Sequence, residues 1–322
     1  MKKSKEWGTG TGENAAPACL YTYACHEDER ELCLLELRTL LGCEPEDGWL
    51  RSGRVVDPGR SPFVKQRLDV LFEEASLPAL LERLPELDLA GETFKAVYVE
   101  AGLRADYDGQ RALERQAGAR IRGRAEMRTP QRVLGLACAD GRWLLGDLRR
   151  GEAHWLRHVQ KPQNYSTALS TRVARAVVNL AVPEGAGRRL IDPCCGMGTV
   201  LVEALSMGID SEGCDINPLA VRGARVNLRH FGWPESAVRL ADMTELPGAY
   251  DAAVLDLPYN LCSKLSAEEQ AGLLAGARRL AERAVIVATE EIAGEIAAAG
   301  FRIAGHAVLR KGAFRRQIYL CV

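Results

Sequence analysis

The stretch Leu190-Ile191-Asp192-Pro193-Cys194-Cys195-Gly196-Met197-Gly198-Thr199 decides how the rest of the chain is read. An apolar stub runs into an acid and a proline, then a two-glycine turn, then Thr199 and a helical run. The pattern predicts strand, turn and helix. Glycines at 196 and 198 let the backbone approach a ligand closely and take angles that a side chain forbids. Thr199 is placed to N-cap the helix, whose free N–H groups and positive dipole end would face that ligand. Asp215 stands sixteen residues beyond Thr199, after a second short strand, where an acid accepts hydrogen bonds from ribose hydroxyls. Dinucleotide binding fails one check, because the third glycine of G-x-G-x-x-G would fall at position 201, which is Leu. The unit reads as a nucleoside site without a pyrophosphate.

Outward from this loop, strand and helix alternate. Strands are expected near 189–192, 211–215, 237–241, 251–256 and 284–288, with helices at 199–206, 218–230 and 266–281 between them. A helix is expected over 167–180 in front of them. That alternation predicts a mainly parallel sheet covered on both faces, with a terminal hairpin (301–309 and 317–322) as an antiparallel edge. Upstream, strands are expected at 20–25, 54–56 and 93–100, and helices at 27–41, 63–75, 77–84 and 109–122. A hairpin is expected across Ala139-Asp140-Gly141. The expected division is a disordered tail at 1–17, an α+β region at 18–150, a linker at 151–165 and the α/β domain at 166–322.

Composition sets bounds. The chain of 322 residues is 47% hydrophobic and 26% charged, with a net charge of −1, which suits a globular protein of two domains. Charge is unevenly placed: from Arg115 to Arg175 there are thirteen Lys and Arg against four Asp and Glu. Such a segment is either an electrostatic footprint for a polyanion or a solvated face. None of the ten cysteines forms a C-x-x-C pair and the five histidines do not cluster, so no metal is expected and the thiols read as reduced and cytoplasmic. His154 and His158 read as surface or phosphate contacts. No apolar run is long enough to span a membrane.

Ligands of such a sheet bind beyond the carboxyl ends of its strands. Asp192 and the glycine turn fall there, as do Asp215 with Ile216, Asp242 with Met243, and Asp256-Leu257-Pro258-Tyr259. Asp215 suits a ribose and Asp242 the exocyclic amine of adenine, with Ile216 and Met243 to sandwich the ring. At the fourth strand end, a carboxylate and the next backbone carbonyl can accept hydrogen bonds from one planar amino group and aim its lone pair at an electrophile. Pro258 stiffens that loop and Tyr259 offers a flat face for a base. The competing reading is an ordinary turn after a buried strand.

This order of motifs resembles the class I S-adenosylmethionine-dependent methyltransferases, and Asp-Leu-Pro-Tyr resembles the Asp/Asn-Pro-Pro-Tyr signature of amino-group methyltransferases. More narrowly, Lys161-Pro162-Gln163-Asn164-Tyr165-Ser166, Ala174 to Ala181 and the loops above resemble the family that makes N2-methylguanosine in tRNA. Ile121-Arg122-Gly123 and Pro130 to Asp147 resemble the end of a THUMP domain, an RNA-binding module. The resemblance implies a Rossmann-like methyltransferase sheet preceded by an α+β THUMP-like domain, and S-adenosyl-L-methionine as cofactor. It places the cofactor on Asp192, Cys194, Gly196, Gly198, Thr199, Asp215, Ile216, Asp242 and Met243. It places the methyl acceptor on Asp256, Leu257, Pro258 and Tyr259, and tRNA or another structured RNA on Arg120, Arg122, Arg124, Arg128, Arg149, Arg150 and Lys161. Leu257 departs from the usual first proline and Asn260 from the glycine of many members, which bears on the target nucleotide. Two other readings stay open on sequence: an amino methyltransferase acting on DNA or on a protein glutamine, and a non-catalytic RNA-binding protein.

Overall fold

The computed structural model describes residues 19–165, 168–258, 265–312 and 314–322. Its strands and helices run β1 (Cys19–Tyr23), α1 (Arg30–Leu41), β2 (Trp49–Ser52), β3 (Val64–Glu74), α2 (Leu77–Arg83), β4 (Phe94–Gly102), α3 (Tyr107–Arg120), β5 (Arg132–Ala139) and β6 (Arg142–Arg150). Next come α4 (Thr171–Ala181), β7 (Arg189–Asp192), α5 (Thr199–Ser206), β8 (Asp210–Asp215), α6 (Pro218–His230) and β9 (Val238–Leu240). The chain ends with β10 (Tyr250–Asp256), α7 (Ala267–Leu280), β11 (Ala281–Ala288), α8 (Ala293–Ala298), β12 (Ile303–Lys311) and β13 (Phe314–Cys321). One sheet has the order β2-β1-β3-β6-β5-β4, the other β12-β13-β11-β10-β7-β8-β9. Two compact units result. One comprises the chain up to Tyr21, Arg51–Val55 and Arg67–Arg149, the other Thr22–Leu50, Val56–Gln66 and Arg150–Val322.

In the first unit β4 pairs parallel with β5, and β5 pairs antiparallel with β6. Asp140 and Gly141 take φ of 51° and 71° between β5 and β6, the left-handed pair a two-residue hairpin turn needs. Leu80, Leu84, Phe94, Ala117, Leu134 and Leu136 form its core. Two expectations fail here. The second strand lies at Trp49–Ser52, not 54–56, and residues 63–75 form strand β3, not a helix. Arg67 shows why: its Nε donates to Asp69 Oδ1 at 2.6 Å, and residues two apart meet on the face of a strand but not of a helix. Pairing between β1 and β6 overrides the local helical pattern.

The second unit holds the seven-stranded sheet. Strands β7, β8, β9, β10 and β11 are mutually parallel, and β13 runs antiparallel between β11 and β12. The terminal hairpin is therefore present, but its first strand, β12, forms the edge. From β7 the chain winds outward through β8 and β9, then crosses back to β10 and β11, which puts a topological switch between β7 and β10. Parallel strands bury both faces. On one face Ile191, Ala253, Leu255 and Ile286 pack with Leu274 and Ala277 of α7.

Residues expected in front of the boundary at 150 belong to this unit as well. Helix α1 buries Leu32, Leu35 and Leu37, and Glu31 Oε2 accepts from Val308 N at 2.8 Å, which covers the edge strand β12. The expected linker carries a 3-10 turn over His154–Gln160. Helix α4 starts at an N-cap, Ser170, whose side chain accepts from Val173 N.

A polar network is buried among these elements. Glu36 accepts from the Ser61 hydroxyl at 2.6 Å and from Asn179 Nδ2 at 2.7 Å. Burial outweighs those bonds and the nearby Arg175 and Arg60, and raises its carboxyl to about 7. A carboxyl raised by folding stabilises the protein most below its unfolded value and loses that contribution as pH rises through its folded value. Glu36→Gln is accordingly expected to gain relative to wild type by on the order of 2–3 kcal/mol between pH 5 and pH 8. Parallel melting curves of the two proteins across that range check it; a constant difference would contradict the assignment.

Candidate active site

The carboxyl ends of β7, β8, β9 and β10 bring the sequence-predicted acids to one side of the sheet. At β7, Asp192 is buried; burial first, then Asp256 and Asp215, push its carboxyl well above the usual range, while the Cys194 N–H opposes them. The loop beyond it closes on itself and on β8. Gly198 N donates to Cys195 O at 2.7 Å, Cys195 N to Cys214 O at 2.9 Å, and Gly196 N to Asp215 Oδ2 at 2.9 Å. Gly196 has φ of 51°, and nothing lies within 4 Å of where a Cβ would project, so the backbone is open to a ligand. Gly198, not Thr199, is the N-cap of α5, with φ of 74° and no side chain to satisfy the helix. Thr199 is the first helical residue, and its Oγ1 is buried with no hydrogen-bond partner. The expected cap is thus absent and the first-turn N–H groups remain available to a ligand.

Asp215 links this loop to β8. Its Oδ1 accepts from Asn217 N at 2.8 Å, opposite the bond from Gly196, and each oxygen retains a further lone pair for a hydroxyl. Beside it Ile216 stands 72% exposed, an apolar face with nothing packed over it in the core. Asp242 is exposed and accepts from Thr244 N and Oγ1, which hold its carboxyl below the usual range. Met243 departs from expectation. Its side chain is buried among Leu246, Leu274 and Ala277, with Sδ 3.9 Å from Cys194 Sγ, so it forms floor rather than the second slice of a sandwich. Burial and the surrounding carboxylates keep the Cys194 thiol protonated.

At β10, Asp256 pairs in register with Val287 of β11. Its Oδ1 is buried with no hydrogen-bond partner, and burial raises the carboxyl to about 6 against the pull of Arg316. Leu257 buries its side chain and donates its N–H to Val287 O at 2.9 Å. Pro258 is exposed. Tyr259 and Asn260 lie outside the described residues.

Three residues that the sequence reading did not place at the site organise it. Asn227, fully buried on α6, accepts from Gln163 N at 2.8 Å and donates through Nδ2 to Gln163 O and Met197 O, both at 2.9 Å. It clamps the Lys161–Tyr165 segment to the glycine loop. The signal was there: an amide on the apolar stripe Ala220, Ala224, Leu228. Asn227→Ala is expected to weaken cofactor binding about tenfold or more, with a smaller effect on turnover at saturation. Calorimetric titration with the cofactor checks this, and unchanged affinity would remove the clamp from the account. Glu203, fully buried on α5, lies 2.6 Å from His158 Nδ1 and 2.9 Å from Arg175 Nη1. The third is Arg316, buried on β13.

His158 and Lys161 correct the sequence reading accordingly. His158 belongs to the Glu203 network rather than the surface, and Lys161 is buried, where Glu203 supports the charge that burial disfavours, so it is not a phosphate contact. Arg120, Arg122, Arg124, Arg128, Arg149 and Arg150 are all exposed, with Arg149 3.5 Å from Asp69. A cavity of about 820 Å³ opens at the amino ends of β10 and β11, lined in part by Arg188, Tyr250, Arg279 and Arg283. Arg279 is tied to the carbonyls of Met243, Thr244 and Leu246, and Arg283 to that of Leu180.

The donor set fits S-adenosylmethionine on two grounds: an orphaned hydroxyl at Thr199 and open backbone at Gly196. Parallel sheet, switch point and acidic strand ends make a Rossmann-like fold of the kind that S-adenosylmethionine-dependent methyltransferases use. A family model described as RMKL-like, methyltransferase domain matches residues 158–271. The chain is similar to the tRNA (guanine(10)-N2)-dimethyltransferase of Methanothermobacter thermautotrophicus, 29% identical over 266 residues, which cover 76% of this chain and 79% of that protein. It is also similar to the enzyme of the same name from Pyrococcus abyssi, 31% identical over 150 residues, 44% of this chain and 45% of that one. The crystal structure of TrmN from Thermus thermophilus superposes with a TM-score of 0.47 at 18% identity, covering 94% of this chain and 99% of that one.

Proposed function

We propose that this protein transfers methyl groups from S-adenosylmethionine to the exocyclic N2 amine of a guanosine in tRNA. The observation that carries the reading is Asp256. It is a half-buried aspartate whose buried Oδ1 has no partner, at the switch point and one strand from the glycine loop. The names of the two archaeal relatives support guanine N2 as the target and tRNA as the carrier.

In this reading the backbone at Gly196 and Gly198 and the first turn of α5 hold the methionine end of the cofactor. Asp215 takes the ribose hydroxyls, Asp242 the adenine amine, and Ile216 covers the purine. Asp192 and Cys194 shape the floor. When bound, S-adenosylmethionine supplies an electrophilic methyl group on a sulfonium sulfur. Asp256 and the Leu257 carbonyl accept the two N–H bonds of the guanine amine and fix its plane, so that the nitrogen lone pair faces the glycine cleft. A carboxyl raised by burial is a better base than ordinary aspartate, suited to take the proton that the methylated nitrogen sheds. Pro258 stiffens the loop, and Tyr259 supplies the stacking face for a base drawn out of its helix. The exposed arginines 120, 122, 124, 128, 149 and 150 hold phosphates, on a region we assign as THUMP-like within residues 18–150. Such an enzyme works in the cytoplasm.

Incubation with methyl-labelled cofactor and total tRNA, followed by nucleoside analysis, tests the reading. Label is expected in N2-methylguanosine or its dimethyl form; label in N6-methyladenosine, N4-methylcytosine or protein would overturn it. Affinity for tRNA is expected to fall steeply with salt, by about tenfold or more between 50 and 200 mM. A flat dependence would count against the arginine surface.

A further inference from the structure

The start of β13 holds a residue that does not behave like its neighbours. Phe314 and Arg315 are exposed, yet Arg316 is 8% exposed. The register explains where it goes. Asp256 of β10, Val287 of β11 and Ile318 of β13 lie in one row across the sheet. Side chains on a row share a face, and residues two apart on a strand share it too, so Arg316 emerges on the face that carries Asp256. Ala252 pairs with Arg283, whose guanidinium donates to Leu180 O of α4, which identifies this as the α4 face. Arg316 is packed 5.4 Å from the Phe314 ring, and among the described residues its charge is the one that acts favourably on Asp256.

Burial and the neighbouring Asp192 press the other way. Asp192 lies two strands from β11 on β7, Asp215 on β8, and the Cys194 thiol sits in the loop between them. Helix α4, above this face, contributes Arg172 and Arg175, but these are engaged by Glu29 and Glu203. A buried carboxyl beside other acids tends to hold its proton, and a protonated carboxyl carries a donor where an amine needs acceptors. Guanine makes the demand sharper. Its N1–H and N2–H donors lie side by side, so only an ionised carboxylate accepts from both at once, whereas adenine and cytosine place an acceptor next to the amine.

We propose that Arg316 is a positioning residue for the methyl acceptor, holding Asp256 as a carboxylate so that it meets the paired donors of guanine. This rests on the function proposed above and deepens it. A buried guanidinium on β13 thereby acts through Asp256 without touching the cofactor.

The test compares wild type, R316K, R316M and R316Q for rate against pH at saturating cofactor and tRNA, with cofactor affinity measured alongside. Wild type is expected to lose activity on the acid side of about pH 6. R316M and R316Q are expected to move that limb upward by roughly one to three pH units, with activity recovering in alkali and cofactor affinity within about twofold of wild type. R316K, which keeps the charge, is expected to stay near wild type. An unmoved limb in R316Q, or equal loss in all three variants at every pH, would overturn the role of Arg316. The glutamine variant is shorter but keeps a hydrogen-bonding amide, and serves where methionine impairs folding. Absence of label in tRNA with wild type at every pH would sink the proposed function itself, a result separable from an unmoved limb.

Discussion

Asp256→Ala is expected to abolish methyl transfer to tRNA, by about a thousandfold or more, while cofactor affinity stays within about twofold of wild type. The two halves of that expectation have separate physical grounds. Asp256 stands at the end of β10, and the hydrogen bonds that close the glycine loop run among Cys195, Gly196, Gly198, Cys214 and Asp215 without it. Its buried Oδ1 makes no hydrogen bond, so truncation breaks none there. The change removes the cost of burying an acid and also the attraction of Arg316, which oppose each other, so the melting temperature is expected to move by a few degrees at most. What disappears is the anion that aligns the amine. Single-turnover assays with labelled cofactor, paired with a binding isotherm, check both halves. Near-normal turnover would remove Asp256 from the chemistry, and lost cofactor binding would place it in the wrong half of the site.

Glu203→Ala is expected to be the most damaging single change to stability, at about 3–5 kcal/mol. The carboxylate is fully buried, and both its oxygens are engaged, one by His158 and one by Arg175. Arg175 is itself buried and also donates to the carbonyls of Arg60 and Gly59. Removing the acid leaves a buried guanidinium without its counter-charge, together with Lys161, whose charge Glu203 also supports. A melting temperature lower by roughly 10 °C is expected. Because Glu203 lies on the helix that opens at Gly198, cofactor binding is expected to weaken with it. Thermal melts with and without cofactor check this; a shift below about 1 °C would show the network to be ornamental.

Some of this was legible in the sequence for simple reasons. The α/β half announces itself because parallel strands buried on both faces need unbroken apolar runs, and because glycines, caps and acids at strand ends are local requirements. Asp192, Gly196, Gly198, Asp215, Asp242 and Asp256 could be found that way, since each sits at the end of an element whose type its neighbours dictate. Met243 was misread as a stacking face, because which side of a loop a side chain takes depends on the core beneath it. Strand β3 was misread as a helix, because its conformation is set by partners on either side and not by its own pattern.

The sequence by itself determined the alternation of elements, the two-glycine loop and the chemical character of the strand ends, all of which depend on residues near one another in the chain. Only the tertiary structure decided that α1 covers β12, that Asn227 joins Gln163 to Met197, and that Glu203 gathers His158 and Arg175. It alone set Arg316 on the sheet face that carries Asp256, sixty positions earlier in the chain. Those pairings come from strand order and register, which bring distant residues onto one face and which no local spacing encodes.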